Sequence, residues 1–550
     1  MDRPDYEKII VGGLLLLFLV FSVSSMAREG LTNDELAHIA ASYSYITEFD
    51  FRLNPEHPPL VKLMSDVPLL FTDMKLPADW RQMDQNSVGK ALLYNEDLGR
   101  NLFLARLPIV LIGLLIGFVI FIFAKGLHSK RAGYLALFLF AFSPLMIAHS
   151  HYVTTDAGIT LFMLLSVYSF WRYTNDQSRK NLIYTGISLG LSLAAKFTGL
   201  YVIGILGIIG IIFALKKHKT KVSFFRSKQT WKIASALILI VAIGFSVLIL
   251  TYGIKESPRY IAGLKFVVAH SSDFGHAQYL MGMHSIDGWW YYFPLAFLFK
   301  TPIPTLLLVI LSIIFYRKRE DDYFLFAPIA VYLFFFMTGK IDIGIRHIMP
   351  IYPFIFILIS RLADHKDKIL KFVIPLLCIW YAVSSLMIFP HYISYFNEAI
   401  RSDNGHKYLI DSNIDWGQGL PELKRYLDKN GIEEQIYLGY SGFDNATIHG
   451  IDWQKEHCFP QEGIHAISVN NLMNIYNEEQ PCIDWILDYE PIAKVGYSIW
   501  IYDIKGDFDA EPQRYCDVFC EDGCEKAGLS FKSSTYESGC RCKCHGKKVI

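Results

Sequence analysis

The chain has 550 residues, 52% of them hydrophobic and 15% aromatic, with a mean hydropathy of +0.29, which is too apolar for a water-soluble globule of this size. Its 52 Lys+Arg balance 52 Asp+Glu, so the formal net charge is zero and nothing suggests the basic surface that nucleic-acid binding requires. A polytopic α-helical membrane protein is the class that fits.

The first apolar run, Ile9 to Met26, follows three acids (Asp2, Asp5 and Glu7) and is not closed by a small-residue cleavage site, so it reads as a retained transmembrane helix and not as a signal peptide. A span needs roughly 20 mostly apolar residues. Eleven stretches meet that description: 9–27, 103–124, 132–148, 157–173, 181–196, 198–215, 231–252, 293–316, 323–338, 346–362 and 370–389. The pairs 132–148/157–173 and 181–196/198–215 are joined by very short links, which predicts tight helical hairpins. Orientation follows from Lys and Arg in the short loops. Lys125/Lys130/Arg131, Arg172/Arg179/Lys180, the run from Lys216 to Lys232, Arg317/Lys318/Arg319 and Arg361/Lys366/Lys368/Lys371 all fall on one side. The N-terminus is therefore expected in the cytoplasm, with loops 28–102 and 253–292 and everything after 390 outside.

The polar residues of these apolar segments then converge on the outer face: Asp34-Glu35, His57, Arg106, the run His149-Ser-His151-Tyr152-Val-Thr-Thr-Asp156, Lys196, and Arg346-His347. An ionisable group at the membrane boundary is costly unless it is paired, solvated or functional. Each has an ordinary reading beside the functional one. Thr32-Asn-Asp34-Glu35 before Leu-Ala-His38 reads as a helix N-terminus, and so does Asp156. Arg106, Lys196 and Arg346 read as snorkelling cations. Gathered on one face beside carboxylates, the cations predict an anion site, most simply for a lipid phosphate, with Arg as a bidentate donor and Lys as a point charge. Loop 253–292 ends in the aromatic belt Gly288-Trp-Trp-Tyr-Tyr-Phe-Pro294, and its polar centre, His270 to His276, is either a lid or an ordinary surface loop. No glycine-rich cradle of Walker or Rossmann type is present, so an activated donor is not obviously a nucleotide.

Residues 403–505 change character, with apolar stretches at Gln435–Tyr440, His465–Val469 and Ile499–Tyr502 around a helical piece from Leu420 to Lys429. This predicts a small external α/β domain, and a division into 1–390 (membrane catalytic domain), 391–508 (external domain) and 509–550 (Cys-rich tail). Cys516, Cys520, Cys524, Cys540, Cys542 and Cys544, with Cys458 and Cys482, make an even set outside. Disulfides and a zinc knot that adds His545 both stand open. Cys378, within the last span, reads as a small buried hydrophobe.

Taken in order, the motifs resemble the GT-C glycosyltransferases, and within them family 39, the protein O-mannosyltransferase-like group that includes the aminoarabinose transferases. The matching residues are Asp34-Glu35, Glu56-His57-Pro58-Pro59-Leu60-Val-Lys62, Arg106-Leu-Pro, His151-Tyr-Val-Thr-Thr-Asp156 and Ala195-Lys196-Phe-Thr-Gly199. Tyr292-Phe-Pro, Lys300-Thr-Pro, Gly344-Ile-Arg346-His347-Ile-Met-Pro350, Pro390 to Asn397 and Asp411 to Gln418 follow. The resemblance implies inverting transfer of a sugar from a polyprenyl- or dolichyl-phosphate donor to an acceptor hydroxyl on the outer face of the plasma membrane, without metal or cofactor. It implies Asp34 as general base with Glu35 beside it, Asp156 placing donor or acceptor, and His57, Arg106, Tyr152, Lys196, Arg346 and His347 around the donor phosphate and substrate. Protein mannosylation is the first acceptor reading, and transfer to a lipid or polysaccharide the alternative. A transporter of lipid-linked sugars is the rival class; it predicts inverted repeats with charges near mid-membrane, and no repeat is visible.

Overall fold

The computed structural model describes residues 6–94, 97–216, 227–270, 275–457, 460–475, 481–506, 530–536 and 540–545. Helix α1 (Tyr6–Met26) leads into an outer helical layer of α2 (Asn33–Glu48), α3 (Leu60–Asp66) and α4 (Gln85–Tyr94). Leu36, Ile39, Ala40 and Tyr43 of α2 bury against Val88 and Leu92 of α4 and against Trp80, so the predicted loop 28–102 is a small packed unit. Helix α5 (Leu98–Leu127) starts where the Asp97 side chain accepts the Arg100 amide at 3.0 Å.

The predicted 132–148 helix is broken into α6 (Lys130–Ala141) and α7 (Pro144–His149). Pro144 has no N–H to continue the first helix, and Ser143 restarts the chain by capping Met146 at 3.4 Å. There follow α8 (Asp156–Asn175), α9 (Arg179–Ala195), α10 (Gly199–Lys216), α11 (Lys228–Tyr252) and α12 (Arg259–Ala269), then a short antiparallel hairpin of β1 (Gln278–Leu280) and β2 (Met283–Ser285). The predicted span 293–316 is two helices, α13 (Tyr292–Lys300) and α14 (Ile303–Ile314), set at 113° across Thr301-Pro302. Helix α15 (Tyr323–Met337), a 3-10 turn (Ile345–Ile351) that runs into α16 (Tyr352–Ser360), and α17 (Lys368–Ile388) complete the bundle.

Among the described residues six helices are long and apolar enough to cross a membrane, seven if the bent pair counts as one span, and the protein is a multi-pass membrane protein. The eleven predicted spans are not reached by that measure. Helices α8 and α9, predicted as spans, carry Ser, Thr, Tyr and Gly where lipid-facing helices carry Leu and Ile, because they pack against protein. Gly190 of α9 lies so close to Gly244 of α11 that a Cβ there would stand 2.6 Å from the Gly244 carbonyl. Lipid-facing positions such as Ile238 and Leu250 of α11 are correspondingly bare.

Beyond the bundle stands the predicted α/β unit, a five-stranded sheet in the order β4 (Trp453–Lys455), β3 (Ile436–Gly439), β5 (Gly463–Ser468), β7 (Ile499–Ile504), β6 (Ala493–Val495). β3 pairs in parallel with β4 and β5, and β7 pairs antiparallel with β5 and β6. Leu420, Leu423 and Leu427 of α18 (Leu420–Asn430) pack with Ile436, Leu438, Ala466, Ile499 and Ile501 of the sheet in one core. The backbone of β8 (Ser530–Tyr536) pairs antiparallel with that of β9 (Cys540–His545). The predicted choice between disulfides and zinc falls on side chains outside the described residues, as does most of the predicted lid.

Candidate active site

The site is assembled from chain segments at helix ends. Asp34 sits in the first turn of α2, and Asp156 is the first residue of α8, where the helix dipole favours a carboxylate. Lys196 follows α9 directly, in extended backbone, and a tight turn at Gly199 sends the chain into α10. A Cβ on Gly199 would lie 2.2 Å from the Ser192 carbonyl, so a side chain there would open the turn. Arg346 enters from the 3-10 turn.

The four meet. Lys196 Nζ bonds Asp156 Oδ1 at 2.6 Å, and Arg346 Nη1 lies 3.5 Å from Asp156 Oδ2 and 3.1 Å from Asp34 Oδ2. Asp156 is closed off at 1% side-chain exposure, whereas Asp34 keeps 30% and lines an open cavity of about 570 Å³. Arg346 is held in place from behind: its Cζ stacks 4.1 Å from the Trp416 ring, and Nε donates to Ser412 Oγ at 3.2 Å.

Trp416 and Ser412 belong to the Asp411–Gln418 stretch, for which the sequence offers no role beyond bracing the external domain. The stretch does brace it. The amides of Gly30 and Asn33 donate to the carbonyls of Gln418 and Trp416, each at 2.9 Å, and Ser412 Oγ donates to the Ile343 carbonyl at 2.7 Å. Gly344 permits that approach, since a Cβ there would stand 2.3 Å from Ser412 Oγ. The same stretch also lines the cavity that Asp34 faces, with Asp411, Asp415 and Trp416 joined by Tyr440, Asn470 and Asn471. Burial pushes the Asp415 carboxyl up to about 7.

The remaining predicted residues are placed differently. Glu35 is fully buried and faces away from the cavity. It accepts Arg106 Nε at 2.8 Å, Arg106 Nη2 at 2.7 Å, and the amides of Val153 and Thr32 at 3.0 Å each. Arg106 also donates Nη1 to the carbonyls of Met26 at 3.1 Å and Glu29 at 3.0 Å, and Nη2 to Gly30 at 2.7 Å. All five guanidinium N–H groups are thereby engaged with protein acceptors, which leaves none for a donor phosphate. Although Glu35 is buried, Arg106 and the two amides hold its carboxyl below the usual carboxylate range.

Tyr152 is likewise internal, with its hydroxyl on Glu29 Oε2 at 2.7 Å, the oxygen that also meets His151 Nε2 at 2.7 Å. Glu29 was not evident in the sequence as a site-supporting residue; its proximity to the Asp34-Glu35 motif was the available signal. His57 packs edge-on to His38 at 5.2 Å, and burial depresses both imidazoles, His38 to about 4. Lys62 pins the His57 turn by donating to the His57 carbonyl at 2.8 Å and to Asn54 Oδ1 at 3.0 Å. His347 is buried with its ring 5.8 Å from Phe336 and, among the described residues, no hydrogen-bond partner for Nε2.

Residues 14–255 match the family model described as dolichyl-phosphate-mannose-protein mannosyltransferase, a stretch that holds Asp34, Glu35, His57, Arg106, Tyr152, Asp156 and Lys196 and ends before Arg346. The chain is a glycosyltransferase. No match is found among curated protein sequences. Among solved structures this glycosyltransferase is similar to ArnT from Cupriavidus metallidurans bound to undecaprenyl phosphate, at 12% identity over 91% of this chain and 98% of that one, with a TM-score of 0.48. It is also similar to the Saccharomyces cerevisiae Pmt1-Pmt2 complex bound to the sugar donor (20% identity, 46% and 34% of the chains, TM-score 0.35). A third is the oligosaccharyltransferase AglB from Archaeoglobus fulgidus, in complex with an inhibitory peptide and a dolichol-phosphate (11% identity, 92% and 75%, TM-score 0.44).

Proposed function

We propose that this glycosyltransferase moves a sugar from a polyprenyl- or dolichyl-phosphate to an acceptor hydroxyl on the outer face of the plasma membrane, with its N-terminus in the cytoplasm. The observation that carries the reading is the bridge made by Arg346. One guanidinium group touches both the accessible carboxylate of Asp34 and the buried Asp156–Lys196 pair, at the edge of an open cavity.

In the proposed reaction Asp34 removes the acceptor hydroxyl proton as the oxygen attacks the anomeric carbon. The bond between that carbon and the donor phosphate oxygen breaks, the lipid phosphate leaves as an anion, and the proton remains on Asp34. Lys196 and Arg346 turn from Asp156 and Asp34 toward the leaving phosphate, which is where negative charge develops. Asp156 keeps the two cations oriented before the donor arrives. Glu35, Arg106 and Tyr152 act as positioning residues that fix the turn carrying Asp34, and His57, depressed by burial, serves as a neutral hydrogen-bonding group and not as a cation. Among the described residues no group of three His, Cys, Asp or Glu side chains is arranged to hold a metal ion.

The test is transfer by the purified full-length protein from labelled polyprenyl-phosphate mannose, a set of other polyprenyl-phosphate sugars, and GDP-mannose. Turnover with a lipid-linked donor and release of lipid phosphate is the expected result. Turnover with the nucleotide sugar alone would overturn the proposal.

A further inference from the structure

The far end of the span that begins at Arg346 carries a second cationic cluster. Arg346 and Arg361 stand at opposite ends of the span Ile345–Asp364. Arg361 is buried to 5% side-chain exposure. Its Nη2 bonds Asp322 Oδ1, but Nε and Nη1 make no hydrogen bond among the described residues.

The acids of the cluster do not make up this deficit. Asp322 Oδ2 accepts the Tyr316 hydroxyl at 2.7 Å and the Arg319 amide at 2.8 Å, and Asp364 accepts Ser129 Oγ. Arg317, Arg319, Arg361 and Lys366 line a cavity of about 180 Å³ beside Asp364 and His365. A buried guanidinium with unmet donors is unfavourable unless an anion or water completes it. The surroundings indicate which kind of anion. Phe315, which lines the cavity, directly follows α14, whose Ile310, Ile313 and Ile314 are 50%, 66% and 67% exposed. Helix α17, packed against α14, begins two residues after Lys366 and exposes Ile369 and Phe372 at 70% and 69%. Cationic donors therefore sit at the head of two bare apolar helix faces.

We propose that this cavity binds the phosphate of an anionic membrane lipid. Arg361, Arg319 and Arg317 donate to the phosphate oxygens, Lys366 closes the rim, and the acyl chains run along α14 and α17. The site lies at the opposite end of the Arg346 span from the donor site and does not depend on the proposed reaction.

The test is native mass spectrometry of the purified full-length protein with equal amounts of phosphatidylglycerol and phosphatidylcholine. The wild type is expected to retain phosphatidylglycerol preferentially. The variant Arg317→Gln/Lys366→Gln, which changes exposed rim residues and leaves the Arg361–Asp322 pair intact, is expected to lose that retention by about fivefold per removed charge. Its thermal midpoint in phosphatidylcholine should match wild type, which separates loss of binding from loss of fold. Equal retention of the two lipids by the wild type, or undiminished phosphatidylglycerol retention by the variant, overturns the proposal. Inorganic phosphate alone is the second arm: no shift in midpoint is expected, and a shift equal to that given by phosphatidylglycerol would overturn the lipid source.

Discussion

Replacing Glu35 by Gln separates support from chemistry at the Asp34-Glu35 motif. Every group facing the Glu35 carboxylate is a donor: Arg106 through Nε and Nη2, the amides of Val153 and Thr32, and the Thr32 hydroxyl at 3.0 Å. Gln is isosteric but supplies one oxygen and one NH2, and that NH2 points at donors in either orientation. Arg106, 1% exposed, then loses the one carboxylate it pairs with among the described residues. Breaking one side of a buried ion pair costs about 3–5 kcal/mol, a large share of the roughly 5–15 kcal/mol that keeps a protein folded. The assay is thermal unfolding in detergent alongside turnover per folded molecule. Glu35→Gln should lower the midpoint strongly, and the molecules that remain folded should keep most of their turnover. A wild-type midpoint combined with a turnover loss of about 100-fold or more would refute the argument and make Glu35 part of the chemistry.

Three other outcomes follow from the same geometry. The His38 imidazole is held down to about 4 by burial against an ordinary value of 6.5, so the unfolded chain binds the extra proton between those values. Stability should therefore rise with pH across that window and fall as pH drops from 6.5 toward 4, and His38→Gln should flatten this slope in melts recorded from pH 4 to 7. Trp416→Leu removes the face on which Arg346 stacks, an interaction worth up to about 2 kcal/mol when desolvated, and should cost roughly 10- to 30-fold in kcat/KM, while Trp416→Phe recovers most of it. Lys196→Met leaves Asp156 with the longer Arg346 contact alone and should lower kcat/KM for the donor on the order of 100-fold.

Much of the architecture was readable in the chain because helix length and apolar runs are local signals. The alternating stretches at Gln435, His465 and Ile499 likewise fell on β3, β5 and β7. The membrane count was less readable: the small and hydroxyl residues of α8 and α9 serve helix packing and dilute the apolar signal, and Thr301-Pro302 turns one predicted span through 113°. At the site, Asp34, Asp156, Lys196 and Arg346 come together from positions up to 312 residues apart. What the sequence could not sort was which cation faces the cavity. Arg106 and Arg346 look alike as single basic residues at the start of apolar runs, and only the carbonyls of Met26, Glu29 and Gly30 mark Arg106 as internal. The Asp411–Gln418 wall was recognisable as a motif, but its contacts with Arg346 depend on tertiary proximity that no local pattern encodes.

The central claim is that Asp34 is the base. Its side chain is 30% exposed, and its Arg346 partner retains Asp156, so Asp34→Asn should leave the fold and the thermal midpoint close to wild type. The direct measurement is single-turnover transfer from a saturating polyprenyl-phosphate sugar, comparing wild type with Asp34→Asn at equal folded concentration. A loss of about 10²- to 10⁴-fold in the transfer rate with unchanged donor binding is the predicted result; transfer at the wild-type rate would contradict it.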